Sequence, residues 1–421
     1  MRRLAFFRFP ATPSPHFPDG PVFTAAGSVW ALLVGIAFLM LGNGLQGSLL
    51  GVRAAAEDFG ATVTGFVITG YFAGFLLGSK IAPHTIRRVG HLRVFAAVAS
   101  LASIAILIQS IFVTPIVWAL MRILTGYCMA SAYIVTESWL NDRVTNEHRG
   151  SLFAVYMVVT FFGMAGGQLL LNIAPPTSHV PFILCSVLIT SAAIPILFSI
   201  TRQPMQDDAE SLSIAALYRV SPLGLIGSLA AGIMQGAVFG MGAVYARQTG
   251  LTVAETSYFM FLLIAGAALL QWPVGRLSDR IDRRKLIAGF ALFGALAPIA
   301  AGVAAGYGSG PLIAFAPLIG AGPLLLYSLF NAYTNDHLRH EQMVAASSAL
   351  ILVYGVGATL GPPAVGMLMD GVGPPGFLWV LAIGHAAIFA FALYRMTRRK
   401  SPAVKTHPVF PATPIRRAGA E

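Results

Sequence analysis

The sequence predicts an all-α integral membrane protein with twelve transmembrane helices in two pseudo-symmetric six-helix bundles and both termini cytoplasmic. Three observations lead there. Hydrophobic residues make up 56% of the 421 and charged residues only 10%, against about 25% charged in soluble domains. The mean hydropathy is +0.75, and the apolar residues gather in runs of about 20, the length that spans a bilayer. The few cations fall almost entirely between those runs, on alternate connections.

Taken in order, residues 1–28 form a proline-broken polar tail without a continuous apolar core, which argues against a cleavable signal and for a cytoplasmic N-terminus. Spans follow near 29–51, 61–82, 92–113, 116–138, 150–173 and 180–200, which make the first bundle, 29–200. A polar linker, 201–221, carries Asp207, Asp208, Glu210 and Arg219. The second bundle, 222–396, has spans near 222–245, 253–274, 285–306, 311–333, 345–369 and 375–396, and residues 397–421 form a second tail. With the N-terminus inside, 24 of the 27 Lys and Arg fall on cytoplasmic segments, two outside (Arg53, Arg247) and one, Arg122, within a helix. Cations are retained on the cytoplasmic side, so this asymmetry fixes the orientation and supports the span count.

Charge also marks one turn above all others. Gly275–Lys285 packs five cations and two carboxylates into eleven residues between two long apolar runs, and belongs at the membrane surface. The net charge of +11 does not gather on one soluble face as nucleic-acid binding requires. Cys128 and Cys185 lie in apolar runs and imply neither disulfide nor metal site.

The halves repeat. A shift of 194 residues lays Asn141–Asp142 on Asn335–Asp336, Glu147 on Glu341, Gly126 on Gly320, Tyr133 on Tyr327, Gly163 on Gly357 and Gly167 on Gly361. Helices four and five are therefore the counterparts of ten and eleven, and duplicated halves around a midplane cavity are a transporter architecture.

The charged turn resembles the cytoplasmic signature of the major facilitator superfamily, G-x-x-x-D-R-x-G-R-R. Gly275, Asp279, Arg280, Arg283 and Arg284 fit it, and Asp282 stands at the second glycine. A first copy after helix two keeps Gly78, Arg88, Gly90 and Arg93, and has Arg87 where the acidic residue is expected. Arg122-Ile-Leu-Thr-Gly126 resembles the family's R-x-x-x-G motif, and Gly357 to Gly366, with Gly361 and Pro362, resembles its G-x-x-x-G-P-x-x-G motif. Helix five keeps Gly163, Gly166 and Gly167. The resemblance implies alternating access by rocking of the two bundles, with the signature residues controlling which conformation is stable.

Arg122 is the one cation well inside a span. Such a charge faces a cavity or a partner, so it either binds an anion or supports coupling, or else pairs with backbone carbonyls. Glu137, near the inner end of the same helix, is either a proton carrier in a desolvated site or a partner for Arg88 or Arg93. The two are about 22 Å apart along the axis and about 60° apart around it, so both can face one cavity. Asn43, Gln46, Gln235, Tyr327 and Asn331 fall on helices that line the cavity in the family; each either contacts substrate or bonds across helices. His385 reads as packing. Gly232, Gly236 and Gly240 recur at four-residue spacing in helix seven and permit close helix approach. Gly163, Gly167, Gly357, Gly361 and Pro362 read as packing or hinge positions.

No nucleotide loop, metal cluster or nucleophile–base arrangement is visible, so neither an enzyme nor an ATP-driven pump is expected, and no cofactor. The expectation is a secondary active transporter of the inner membrane, monomeric, whose partners are a small-molecule substrate, protons and the lipid bilayer. Proton-coupled efflux by antiport is the first reading, from the helix-eleven glycines. Uptake of a small anionic or zwitterionic metabolite is the second, from Arg122, and a sensor that kept the fold but lost transport is the third.

Overall fold

A computed structural model describes residues 30–142, 149–198, 213–278, 280–338 and 342–398, and the side chains of 141, 142, 149–151 and 344 are outside the description. Asp279, Glu147 and Glu341 lie outside the described residues. Among those described, twelve helices are long and apolar enough to cross a membrane. They are α1 (Trp30–Ala56), α2 (Ala61–Val89), α3 (His91–Ile111), α4 (Pro115–Asp142), α5 (Arg149–Leu169) and α6 (Val180–Phe198, turned at Ala192). After a short linker helix, Ile214–Val220, come α7 (Pro222–Gln248), α8 (Val253–Ser278), α9 (Arg283–Ala305), α10 (Ser309–Asn335), α11 (Met343–Val372) and α12 (Gly376–Arg398).

Most helices outrun their apolar runs, because a helix keeps its backbone bonded after it leaves hydrocarbon. The largest difference corrects the sequence reading. The first signature copy is not a surface turn: α2 continues through Lys80, Arg87 and Arg88 to Val89, passing Pro83 within the helix. It breaks only at Gly90, where φ is 93°, a conformation costly for any residue with a Cβ. The second copy does form a turn. Asp282 accepts from the Arg284 amide at 2.9 Å and so caps the start of α9, the work of an N-cap rather than of a glycine.

Glycine-to-backbone contacts hold the helix pairs. A Cβ on Gly70, Gly74 or Gly78 of α2 would meet the carbonyls of Ala119, Ile123 and Tyr127 on α4 at 2.7, 1.9 and 2.7 Å. Gly126 answers from α4, where a Cβ would meet the Tyr71 carbonyl at 1.9 Å. In the other half a Cβ on Gly320 of α10 would meet the Leu263 carbonyl of α8 at 2.0 Å. Likewise a Cβ on Gly167 of α5 would stand 2.3 Å from the Leu41 carbonyl of α1, and one on Gly357 or Gly361 of α11 would stand 2.1 Å from the Leu229 or Ile233 carbonyl of α7. Positions matched by the 194-residue shift therefore occupy the same interface in each half. Small residues are what permits backbones this close inside a membrane.

The halves meet through α2–α11, α5–α8 and α1–α7. Many of these contacts lie toward the end away from the charged turn. A Cβ on Gly65 would come within 2.5 Å of the Pro362 carbonyl, and one on Gly366 within 2.4 Å of the Ala61 carbonyl. Asp370, on α11, accepts from the first amides of α2, Ala61 at 3.1 Å and Thr62 at 2.8 Å. Asn172 donates to Ser257 at 2.8 Å, and Ser257 to the Gln168 carbonyl at 2.8 Å. This end of the molecule, opposite the signature turn, is sealed.

Candidate functional site: a central cavity around Arg122

Close packing of α2 on α4 through their glycines brings Tyr71 beside Arg122. The guanidinium carbon lies 4.4 Å over the Tyr71 ring, a contact that holds a cation in place at a desolvated site. Arg122 is 6% exposed, and its Nε and Nη1 meet no hydrogen-bond partner. Such an orphaned buried donor is costly unless a ligand or water satisfies it.

Around it is a cavity of about 260 Å³ between the two halves. From the first half, Asn43, Ser48, Tyr71, Tyr133 and Gln168 reach it; from the second, Gln235, Phe239, Met260 and Tyr354. Phe72 and Phe75 complete an aromatic wall, with Tyr71 to Phe72 centroids 5.4 Å apart and Phe75 to Tyr133 centroids 6.1 Å apart. Among the described residues that line the cavity, Arg122 is the one with a formal charge. Gln168 is fixed by donating to the Gly44 carbonyl at 2.8 Å and by accepting from Ser48. The Tyr133 hydroxyl donates to the Met40 sulfur at 2.9 Å.

Of the residues singled out from the sequence, Arg122, Asn43 and Gln235 come together here. The Oε1 of Gln235, a residue 8% exposed, has no partner. Gln46 does not line the cavity: it is fully buried behind it, donating to Gln109 at 3.2 Å, while Gln109 donates to the Trp118 carbonyl at 3.3 Å. Tyr327 sits one layer back against Tyr354, with centroids 4.4 Å apart. Asn331 ties α10 to α11 by accepting from Ser347 at 3.3 Å, besides accepting from Asn335 at 3.2 Å.

Glu137 is outside the lining, four residues beyond Tyr133 and so on the same face of α4. Tyr156 of α5 donates to its Oε1 at 3.4 Å, and among the described residues it forms no ion pair. The alternative pairing with Arg88 or Arg93 is not what these residues adopt.

In the signature turn, Arg283 ion-pairs with Asp336 and donates to the Ala332 carbonyl at 3.2 Å and to Ser278 at 3.2 Å. Arg284 pairs with Asp282 at 3.1 Å. Arg283 therefore staples the turn to the end of α10 within its own half. Arg280 lies on the exposed turn, and Gly275 has open space where a Cβ would stand. Gly78 serves the α2–α4 contact rather than the turn.

The aromatic wall was not foreseen. Its signal was the spacing of Gly70, Gly74 and Gly78, the same pattern read in helix seven, which sets α2 close against α4. Asp370, ending a span at the sealed face, carried no local signal: its partners lie 308 and 309 residues away.

A sequence model of the Major Facilitator Superfamily matches residues 32–349 and again 224–418. The chain belongs to the major facilitator superfamily. It is similar to the MFS-type transporter YcaD of Escherichia coli O7:K1, 29% identical over 382 residues and covering 87% of this chain and 95% of that one. The YcaD of Salmonella paratyphi A is 28% identical over 381 residues, covering 89% and 97%. Among solved structures, the nucleoside transporter NupG superposes with a TM-score of 0.69 at 14% identity, over 88% of this chain and 99% of that chain. A bacterial homologue of the human lysosomal transporter Spinster, inward-facing and occupied, gives 0.70 at 14% identity, over 90% and 99%. At such identities the likeness is one of fold. The protein is a multi-pass MFS transporter of a small solute.

Proposed function

We propose that this transporter carries a small organic anion, moving together with a proton, through the cavity around Arg122. The observation that carries the reading is the buried guanidinium with two unpartnered nitrogens in a cavity whose described lining holds no carboxylate. A fixed positive charge in a low-dielectric site repels cations and stabilises anions. Glu137, one turn from Tyr133 on the same helix face, is the proton carrier, exchanging through Tyr156.

Coupling has an electrical reason. An anion entering an inside-negative cell works against about 2.3 kcal/mol per 100 mV, and a proton moving with it cancels that term. The glycines that favoured efflux pack α11 on α7, a duty that serves either direction, so the anion site favours symport. The chain is placed in the inner membrane with the signature turn and both tails cytoplasmic, on the cation asymmetry, and its sealed face is then the outer one. Asp279, in that turn, sets the balance between inward- and outward-open states.

Proteoliposomes test it. Under an imposed inward proton gradient they should accumulate a labelled organic anion. Glu137→Gln should abolish that accumulation and keep anion exchange at equilibrium. Undiminished driven accumulation in Glu137→Gln would sink the carrier assignment, and loss of preloaded anion under the same gradient would restore antiport.

A further inference from the structure

The anion site has more shape than a charge requires. Six aromatic rings face it, four from the first half (Tyr71, Phe72, Phe75, Tyr133) and two from the second (Phe239, Tyr354), and each is only partly buried. All six line the cavity, so both halves present ring surface to it. Across from Arg122, the Gln235 carbonyl oxygen is an acceptor with no donor. The site thus offers a cation from the first half, aromatic surface from both halves and a hydrogen-bond acceptor from the second.

We infer that the substrate is a planar aromatic or heteroaromatic carboxylate bearing a hydroxyl or N–H donor remote from its carboxylate. The carboxylate satisfies Arg122 from the first half, the ring packs edge-to-face or offset against the wall, and the donor meets Gln235 of the second half. One molecule then touches both bundles, which is how occupancy can favour their closing together. Tyr71 acts as a positioning residue as well as wall: the Arg122 guanidinium rests on its ring. The inference rests on the anion reading above and narrows it.

Equilibrium binding to the full chain in lipid nanodiscs separates the two. Benzoate is compared with cyclohexanecarboxylate (same charge, no ring electrons), with benzamide (same ring, no charge), and 4-hydroxybenzoate with 4-methoxybenzoate (donor removed). Benzoate should bind about ten-fold tighter than cyclohexanecarboxylate, and 4-hydroxybenzoate about five-fold tighter than 4-methoxybenzoate. In Gln235→Leu the second ratio should fall to one while benzoate affinity holds. In Phe239→Leu the first ratio should shrink, with a single cooperative melting transition as the sign of an intact fold. Equal affinities for benzoate and cyclohexanecarboxylate would overturn this inference and leave the anion reading standing. Benzamide binding as tightly as benzoate, or no member binding, would overturn both.

Discussion

A shift of 194 residues takes Gly126, seated on the Tyr71 carbonyl, to Gly320, seated on the Leu263 carbonyl, and Tyr133 to Tyr327. The same shift takes Arg122 to Ala316, a fully buried alanine, and Glu137 to Asn331, a neutral link between α10 and α11. The two halves therefore keep one packing plan and divide the chemistry. Backbone contacts are duplicated because both halves face the same problem, bringing helices together where lipid supplies no hydrophobic drive. Among the described residues that line the cavity, charge is confined to the first half, and the second answers it with neutral groups, Gln235 and Tyr354. The difference teaches that symmetry here belongs to the scaffold and that the site is built by departing from it.

The largest test of this division is Arg122→Gln. Charge-assisted hydrogen bonds contribute about 1.5–3 kcal/mol, so anion affinity should fall about ten- to hundred-fold, read by titration calorimetry, with the fold retained. An equal loss from a neutral second-half change such as Tyr327→Phe would break the division. Next come the paired glycines. Gly126→Ala and Gly320→Ala each place a Cβ about 2 Å from a carbonyl oxygen, and overpacking of this kind costs about 1–3 kcal/mol. Melting temperatures in detergent should drop by similar amounts for the two, and a drop in one alone would show that the interfaces are not equivalent.

Smaller is the effect of Asp370→Asn. The carboxylate caps two amides at the start of α2 from across the inter-half seam, an interaction of about 0.3–1 kcal/mol for an exposed helix terminus. Spin-label distances across that face should shift by a few-fold in population toward the open form, while substrate affinity of the sealed form stays the same. An unchanged distance distribution would remove Asp370 from the seam. Smallest is Arg283→Gln. Its ion pair with Asp336 is partly exposed, worth about 0–1 kcal/mol, and joins elements of one half only. Conformational populations should hardly move, and a large shift would mean that this pair also restrains the other half.

The scaffold was legible in the sequence because its causes are local. Apolar runs, the placement of Lys and Arg, and the shift that pairs Gly163 with Gly357 each follow from a single stretch of chain or a repeat of it. The site was legible only where a residue violates its surroundings, as Arg122 does by being charged in a span. Tyr71, Phe75 and Tyr354 are ordinary membrane residues, and what assigns them to the cavity is which backbone lies opposite. Gln46 shows the converse: it is polar and in a helix that lines the cavity, yet its orientation on α1 sends it toward Gln109 instead. The first signature copy misread as a turn has a similar origin, since cations end an apolar run without ending a helix.

His385 fits the packing role read from the sequence, and how it fits bears on the order in which the protein is made. It is 1% exposed, donates through Nδ1 to the Leu381 carbonyl at 2.7 Å, and fills the space left by Gly294 of α9 and Gly322 of α10. A chain still on the ribosome has these two notches without the ring that occupies them until nearly its last span has been synthesised. α12 is thus the bolt of the second half: its ring is what fills the gap between α9 and α10.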